Sequence, residues 1–341
     1  MSNPSLTSFS VLVTGGAGYI GSHAVRRLLD AGHHPVVLDN LDRGHRHAVP
    51  DEVPLIEADL TDDGLDLAGV LREHHIDAVM HFAALAYVGE SVHDPLGYYH
   101  NNTSGSLNLL KAMASAGVER LVFSSTCATY GQVGPEALPI NENTPQKPIN
   151  PYGNSKLFFE HVVRDHAASR PAFGYAILRY FNVAGSDPAG EIGENHDPET
   201  HLIPLAIQAA LGQRPPLTVF GDDYDTPDGT CIRDYIHVED LVAAHLRVMD
   251  ELLGPGGDGR EFTFNLGTGH GVSVREILTS VERVTGRPVP HTVGPRRAGD
   301  PAALFADAGK IERELGWEAR YTDLDDTVRT AYAWLRNHPP G

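Results

Sequence analysis

Tyr152 and Lys156 lie four residues apart in the run Tyr152-Gly153-Asn154-Ser155-Lys156, and those two residue types at that spacing can work as one base. On a helix, positions i and i+4 share a face, so the ammonium can sit beneath the phenol with both side chains pointing into one cleft. A free phenol has a pKa of about 10, so holding it as phenolate near neutral pH costs roughly 4 kcal/mol, much of which a close ammonium offsets. Such a group is tuned to take the proton of an alcohol whose carbon is being oxidised. Twelve tyrosines make a chance Tyr-x-x-x-Lys spacing unsurprising, so the pair gains meaning only from its company. Upstream, Arg120-Leu121-Val122-Phe123-Ser124-Ser125-Thr126 reads as a buried strand ending in three hydroxyls. At the carboxyl end of a strand in an open α/β sheet a hydroxyl faces the ligand crevice, where Thr126 can bond a reacting oxygen and pass its proton toward Tyr152. The plainer role for Thr126 is to shape the turn.

Positioning these groups requires strands that end at a common edge, and the chain supplies them. Val11 to Thr14, Val36 to Asp39 and Ala78 to Phe82 alternate with helical stretches at about Tyr19 to Ala31 and Leu65 to His74. A long helical run from about Leu96 to Ala116 precedes the Leu121 strand, and the tyrosine helix precedes Tyr175 to Tyr180. This βαβ order predicts an α/β fold with a doubly wound parallel sheet, Rossmann-like, over residues 10–182. From Asn182 onward glycine and proline become frequent, as in Asp187-Pro188-Ala189-Gly190 and Gly254-Pro255-Gly256-Gly257. The texture predicts a smaller α+β substrate domain over 183–338, with 232–250 the segment expected to pack back on the first.

Gly15-Gly16-Ala17-Gly18-Tyr19-Ile20-Gly21 follows a strand and opens a helix, the context in which a glycine pattern reads as a dinucleotide cradle rather than a plain βα turn. Gly16 is expected to permit the tight turn, Gly18 to let the backbone approach a pyrophosphate, and Gly21 to let helix and strand pack. Asp39, ending the second strand, can accept bonds from an adenosine ribose diol and would repel a ribose phosphate, which favours NAD over NADP. Asp59 at the third strand's end and Phe82-Ala83-Ala84 at the fourth complete the expected cofactor edge, although Asp59 also suits a turn cap and the alanines suit close packing.

Composition narrows the partners. At 341 residues and a formal charge of −19, the chain can bury a large core and is a poor match for nucleic acid or an anionic membrane. No run approaches the length of a membrane span, and Met1 to Ser10 lack the blocks of a secretory signal, so a cytoplasmic location is expected. Cys127 and Cys231 form no disulfide framework or Cys-x-x-Cys pair. Lysine occurs only at 111, 147, 156 and 310 among 26 basic residues, which leaves arginine to meet anions. His33-His34, His45-x-His47 and His74-His75 lack convergent carboxylates, so they read as solvated, and no metal is expected.

These residues resemble the extended short-chain dehydrogenase/reductase family, and within it the UDP-sugar 4-epimerases, over nearly the whole chain. The marks are Gly-Gly-Ala-Gly-Tyr-Ile-Gly-Ser-His at 15–23, Val-Gly-Glu-Ser-Val at 88–92, Asn-Asn at 101–102, Ser-Ser-Thr-Cys-Ala-Thr-Tyr-Gly at 124–131 and Asn-Pro-Tyr-Gly-Asn-Ser-Lys at 150–156. Arg-Tyr-Phe-Asn at 179–182, the run 228–237 and Arg-Arg-Ala-Gly-Asp at 296–300 continue them. The resemblance implies NAD as cofactor, held by Gly15, Gly18, Tyr19, Ile20, Gly21, Asp39, Asn40, Asp59, Leu60, Phe82, Ala83, Ala84, Asn101, Ser124, Tyr152, Lys156 and Tyr180. It implies a UDP-sugar substrate bonded by Thr126, Tyr152, Asn182, His201 and Tyr235, with Arg233 and Arg297 clamping the diphosphate and Asp300 taking the uridine ribose. Guanidinium forks suit phosphate oxygens independently of any family. Leu202, Val219 and Phe220 flank the uracil in this reading, with core packing as the alternative.

The implied reaction inverts C4 of UDP-glucose or UDP-galactose through a transient 4-keto sugar, in a homodimer. Departures bear on substrate choice. Ala86 stands where some relatives carry lysine, His201 where asparagine is common, and Leu304 at a pocket position where bulk disfavours an N-acetyl group. UDP-xylose and UDP-arabinose fit the 124–131 motif as well. A 4,6-dehydratase would carry Asp-Glu after the catalytic hydroxyl, where Cys127-Ala128 stand here. An NAD-exchanging dehydrogenase and a noncatalytic NAD sensor are the remaining rivals.

Overall fold

Short runs rich in buried apolar side chains, several ending in a buried polar residue such as Thr14, Asp39, His81 or Thr126, become the strands of one sheet. The computed structural model describes residues 8–297 and 301–338. Strands β1 (Ser10–Thr14), β2 (His34–Asp39), β3 (Leu55–Glu57), β4 (Ala78–His81), β5 (Arg120–Thr126) and β6 (Gly174–Tyr180) join Glu261–Leu266 in a seven-stranded sheet. Its order is Glu261–Leu266, β6, β5, β4, β1, β2, β3. The pairs β1 with β2, β1 with β4, β2 with β3 and β4 with β5 are parallel. Chain order reverses between β1 and β4, the switch point at which open α/β sheets bind ligands.

Helices α1 (Tyr19–Asp30), α2 (Leu67–Glu73), α3 (Val88–His93), α4 (Pro95–Tyr99), α5 (Ser106–Ala116) and α6 (Pro151–Ser169) belong to the same unit. Leu12, Leu38, Val79, Leu121, Phe123 and Ile177 from the sheet pack with Leu109, Met113, Phe159 and Val163 from α5 and α6. The single helix expected over 96–116 is divided: α4 leads into a π turn at His100–Gly105 before α5 begins. The wide turn lets Asn102 bridge outward. Its amide donates to Leu85 O at 2.9 Å and Ser155 Oγ at 3.1 Å, and its carbonyl accepts from Leu85 N at 2.8 Å. Hydrophobic period alone does not register the extra residue of such a turn, which recurs at functional sites.

The chain divides into two compact units. The first takes residues through Gly131, Gln146–Arg179 and Val242–Phe264; the second takes Gln132–Pro145, Tyr180–Leu241 and the chain from Asn265 onward. In the second unit α7 (Leu202–Ala210) packs Ile203 and Ile207 with Val219, Ile277, Val281, Val328 and Trp334. Three small sheets accompany it: Asn182–Ala184 with Tyr235–His237, Leu217–Phe220 with His291–Gly294, and Ile232–Arg233 between Val272–Ser273 and Ala303–Leu304.

Candidate active site

Asn150 and Pro151 set the start of α6. The Asn150 side chain accepts from Gly153 N at 2.8 Å and proline occupies the first turn, where its missing N–H costs nothing. Tyr152 and Lys156 therefore fall one turn apart at a fixed helix end. Gly153 permits close approach: a Cβ there would lie 2.6 Å from Ala128 O, in the turn that follows Thr126. The fold thus brings the tyrosine end of α6 against the carboxyl end of β5.

All three expected catalytic groups are buried, with Tyr152 7% exposed, Thr126 6% and Lys156 4%. Lys156 Nζ donates to Ser124 O at 3.0 Å and stands 4.9 Å from the centroid of the Phe123 ring. Burial pushes its pKa down from 10.5 to about 7. The Tyr152 ring meets Tyr98 edge-on at 6.4 Å. Tyr98 is itself fixed, its hydroxyl 2.8 Å from Tyr87 O and 3.0 Å from Glu90 Oε2. Thr126 does shape a turn, since its Oγ1 accepts from Ala128 N at 3.1 Å; the hydroxyl proton is not consumed by that bond.

At the switch point, the tight turn falls on Gly15, at φ +72, and not on Gly16 as the spacing suggests. An added Cβ on Gly15 would lie 2.6 Å from Ala83 N, so a larger residue there would push away the end of β4. Phe82 N and Ala83 N both donate to Thr14 O at 3.0 Å, which closes that edge. Gly21 faces Gly15 O, only 2.0 Å from where its Cβ would stand, while at Gly18 the nearest atom is 3.4 Å away. Helix α1 starts after Gly18 without a capping side chain. Backbone amides beside an open glycine at a helix start suit a pyrophosphate.

Asp39 is buried and accepts from Ala17 N at 3.0 Å and Leu41 N at 2.9 Å, leaving a lone pair on each oxygen for a ribose diol. Burial holds its carboxyl above the ordinary range despite those two bonds. Asn40 Nδ2 donates to Asp59 Oδ2 at 2.9 Å, and Thr61 N and Oγ1 donate to Asp59 Oδ1 at 2.7 Å. Those bonds hold the Asp59 carboxylate below its usual range. Leu60 is a core residue, and Asn101 Nδ2 donates to Asn102 Oδ1 at 2.9 Å. The glycine turn, the open start of α1 and the Asp39 carboxylate fit an NAD adenosine and pyrophosphate.

In the second unit, Arg233 Nη1 donates to Ile232 O at 2.7 Å and Pro301 O at 2.9 Å. Asn182 N donates to Asp234 O at 3.0 Å, and Tyr235 pairs in register with Asn182. Along Leu217–Phe220 the side chains alternate, so Val219 is turned into the core and Phe220 is 42% exposed. Val219 can therefore offer a nucleobase only its backbone. The Arg297 guanidinium covers the Phe220 ring at 4.6 Å. Leu202 opens α7 and packs partly against the core. Asp300 lies outside the described residues.

Residues 11–267 match the model of the NAD dependent epimerase/dehydratase family. The chain belongs to this family. A UDP-glucose 4-epimerase of Azospirillum brasilense is 51% identical over 337 residues, covering 99% of this chain and 95% of that protein. Among solved structures, UDP-glucose 4-epimerase from Brucella ovis in complex with NAD superposes with a TM-score of 0.90 at 50% identity, covering 95% of this chain and 98% of that one. The enzyme from Bifidobacterium longum, in complex with NAD+ and UDP, gives a TM-score of 0.90 at 41% identity, covering 97% and 99%. As a family member the chain is an NAD-dependent protein of doubly wound fold, and among the described residues no helix is long and apolar enough to cross a membrane.

Two features escape the sequence reading. Glu160, fully buried on α6, accepts from Ser125 Oγ at 2.6 Å, Arg179 Nε at 2.9 Å and Arg179 Nη2 at 2.6 Å. The signal was a glutamate one turn after Lys156 on a buried helix face. The second is Glu-x-His-x-x-Glu-x-His at 194–201, where carboxylates and imidazoles converge. Only one of its histidines, His201, had been singled out, for the substrate.

Proposed function

We propose that the protein interconverts UDP-glucose and UDP-galactose by inverting C4 through a transient 4-keto sugar. The observation that carries this is a buried lysine whose ammonium meets a backbone carbonyl and an aromatic face, one turn from a buried tyrosine, on the fold of an NAD-dependent family. Tyr152 takes the proton of the 4-hydroxyl and later returns it. An ammonium whose pKa burial has pushed to about 7 keeps its proton best when a phenolate stands near, so Lys156 and Tyr152 favour each other's charged forms. Thr126 holds the reacting oxygen. NAD, when bound, supplies a reversible hydride acceptor. Asn182, His201, Arg233, Tyr235 and Arg297 are assigned to the UDP-sugar, with the two arginines on the diphosphate.

Cys127-Ala128 after Thr126 supply no carboxylate pair for dehydration, which favours epimerisation within this family. Leu304 pairs in register with Arg233. A bulky side chain beside a diphosphate ligand favours a sugar without an N-acetyl group. We also assign the protein to the cytoplasm and to a homodimer that pairs the α4–α5 run with α6, where Leu96 and Phe158 are 80% and 55% exposed.

The test is to incubate the protein, without added cofactor, separately with UDP-galactose, UDP-N-acetylgalactosamine and UDP-xylose, and to separate the products. UDP-glucose should form from the first, with at most slow conversion of the others. Absence of UDP-glucose would overturn the reading, and preference for either other sugar would move the assignment to that sugar. Light scattering on the same sample should give twice the chain mass.

A further inference from the structure

Glu194, His196, Glu199 and His201 lie within eight residues of chain, in the segment that leads into α7, and each turns one ligand atom toward the others. All four atoms lie within 4.8 Å of one another. His201 Nδ1 is 2.7 Å from Glu194 Oε1 and 3.0 Å from Glu199 Oε1. His196 Nδ1 is 3.2 Å from Glu194 Oε1 and 3.7 Å from Glu199 Oε2. Both imidazoles thus point the same ring nitrogen inward, at the same two carboxylates. Buried Glu194 Oε1 has two ring nitrogens within 3.2 Å. His201 Nδ1 and Glu199 Oε1 make a hydrogen bond at 3.0 Å, yet the four atoms together lie close enough to share one ion as a coordination shell.

We propose that Glu194, His196, Glu199 and His201 bind one divalent transition-metal ion, with zinc the ion whose chemistry fits best. Bonds of about 2.0–2.2 Å to imidazole nitrogen and carboxylate oxygen place neighbouring tetrahedral ligands about 3.4 Å apart. The observed nitrogen–oxygen separations run from 2.7 to 3.7 Å, with Oε1 of Glu199 the nearer to His201 and Oε2 the nearer to His196, so Glu199 would turn one oxygen to the ion. Charge closes too, because two carboxylates, two neutral imidazoles and a dication sum to zero, the ion taking the place of two imidazolium protons. Mixed imidazole and carboxylate donors suit zinc over magnesium or calcium, which prefer oxygen alone.

The shell stands on a fixed base. Trp334 Nε1 donates to Glu194 O at 3.0 Å, and Glu199 Oε1 accepts from Thr200 N at 2.6 Å and His201 N at 2.7 Å. A bound ion would fasten residues 194–201 as a structural clasp at the start of α7, leaving His201 Nε2 outside the shell.

The experiment uses the full chain, stripped with a chelator and dialysed, then titrated with zinc by calorimetry and with cobalt(II) by visible spectroscopy. The expected result is one ion per chain, the intense bands of four-coordinate cobalt, and a melting temperature raised by zinc. Glu199→Gln and His196→Gln, each checked for native circular dichroism, should weaken binding at least tenfold and lose the cobalt bands. A double change of His45 and His47 to alanine, at another histidine pair, should leave both unchanged. If neither metal binds, if cobalt shows only the faint octahedral spectrum, or if binding follows His45 and His47 instead, the cluster is held by protons alone and the proposal is wrong. Should Glu199→Gln and His196→Gln both fail to fold, metal analysis of untreated wild-type protein decides: one zinc per chain supports the site, none overturns it.

Discussion

Lys156 and Glu160 sit one turn apart on α6, both buried, and their surroundings treat charge in opposite ways. Glu160 is met by Ser125, Gln146, Arg164 and Arg179, and those partners hold its carboxyl below the usual range despite burial. Lys156 is met by the Ser124 carbonyl and the face of Phe123, and burial pushes its pKa to about 7. Neighbouring residues of β5 serve both: the carbonyl of Ser124 takes the ammonium and the hydroxyl of Ser125 takes the carboxylate. A structural charge is answered inside the fold, whereas one left with a carbonyl and a ring is held ready for a partner that arrives later. Under the proposed mechanism that partner is the phenolate formed on Tyr152.

The largest effect should come from breaking the answered side. Arg179→Met leaves Glu160 buried without its main counter-charge, and breaking such a pair costs about 3–5 kcal/mol. Urea unfolding measures it, and a loss under about 1 kcal/mol would mean that Glu160 takes up a proton at little cost.

Lys156→Met should act with the opposite sign. Between about 7 and 10.5 the unfolded chain holds a proton on Lys156 that the folded chain has released, so wild-type stability rises with pH across that window. Below about 7 the buried ammonium carries its full penalty. Without substrate, the methionine variant should therefore be the more stable protein at pH 6, and its advantage should shrink as pH rises toward 10.5. Melting curves at four or five pH values test this; an advantage that grows with pH would contradict it. The smallest effect is expected of Ser125→Ala, which removes one hydrogen bond to the carboxylate and should cost about 1–2 kcal/mol by the same urea titration.

The same two residues show what a sequence discloses. Tyr152, Lys156 and the strand ending at Thr126 are legible because helix and strand periods fix which neighbours share a face. The glycine turn is legible too, but not which glycine bends, since Gly15 is forced by its contact with Ala83, in the loop that follows β4. The π turn at His100–Gly105 answers Asn102's bonds to Leu85 and Ser155, which no local pattern announces. Glu160 meets Arg179 across nineteen positions of chain, a pairing that only the sheet order creates. Glu194 to His201 is local, yet its spacing matches no familiar ligand frame. Strand alternation turns Val219 inward, in keeping with the core packing that is the alternative to its place beside a nucleobase, and leaves Phe220 outside.

The most direct measurement of the central claim is turnover by Tyr152→Phe, which keeps the ring and removes only the hydroxyl. If Tyr152 is the base made usable by Lys156, kcat for UDP-galactose should fall by about 10²–10⁴, with KM and the unfolding midpoint essentially unchanged. A kcat within tenfold of wild type would contradict the account and move the proton transfer to another group.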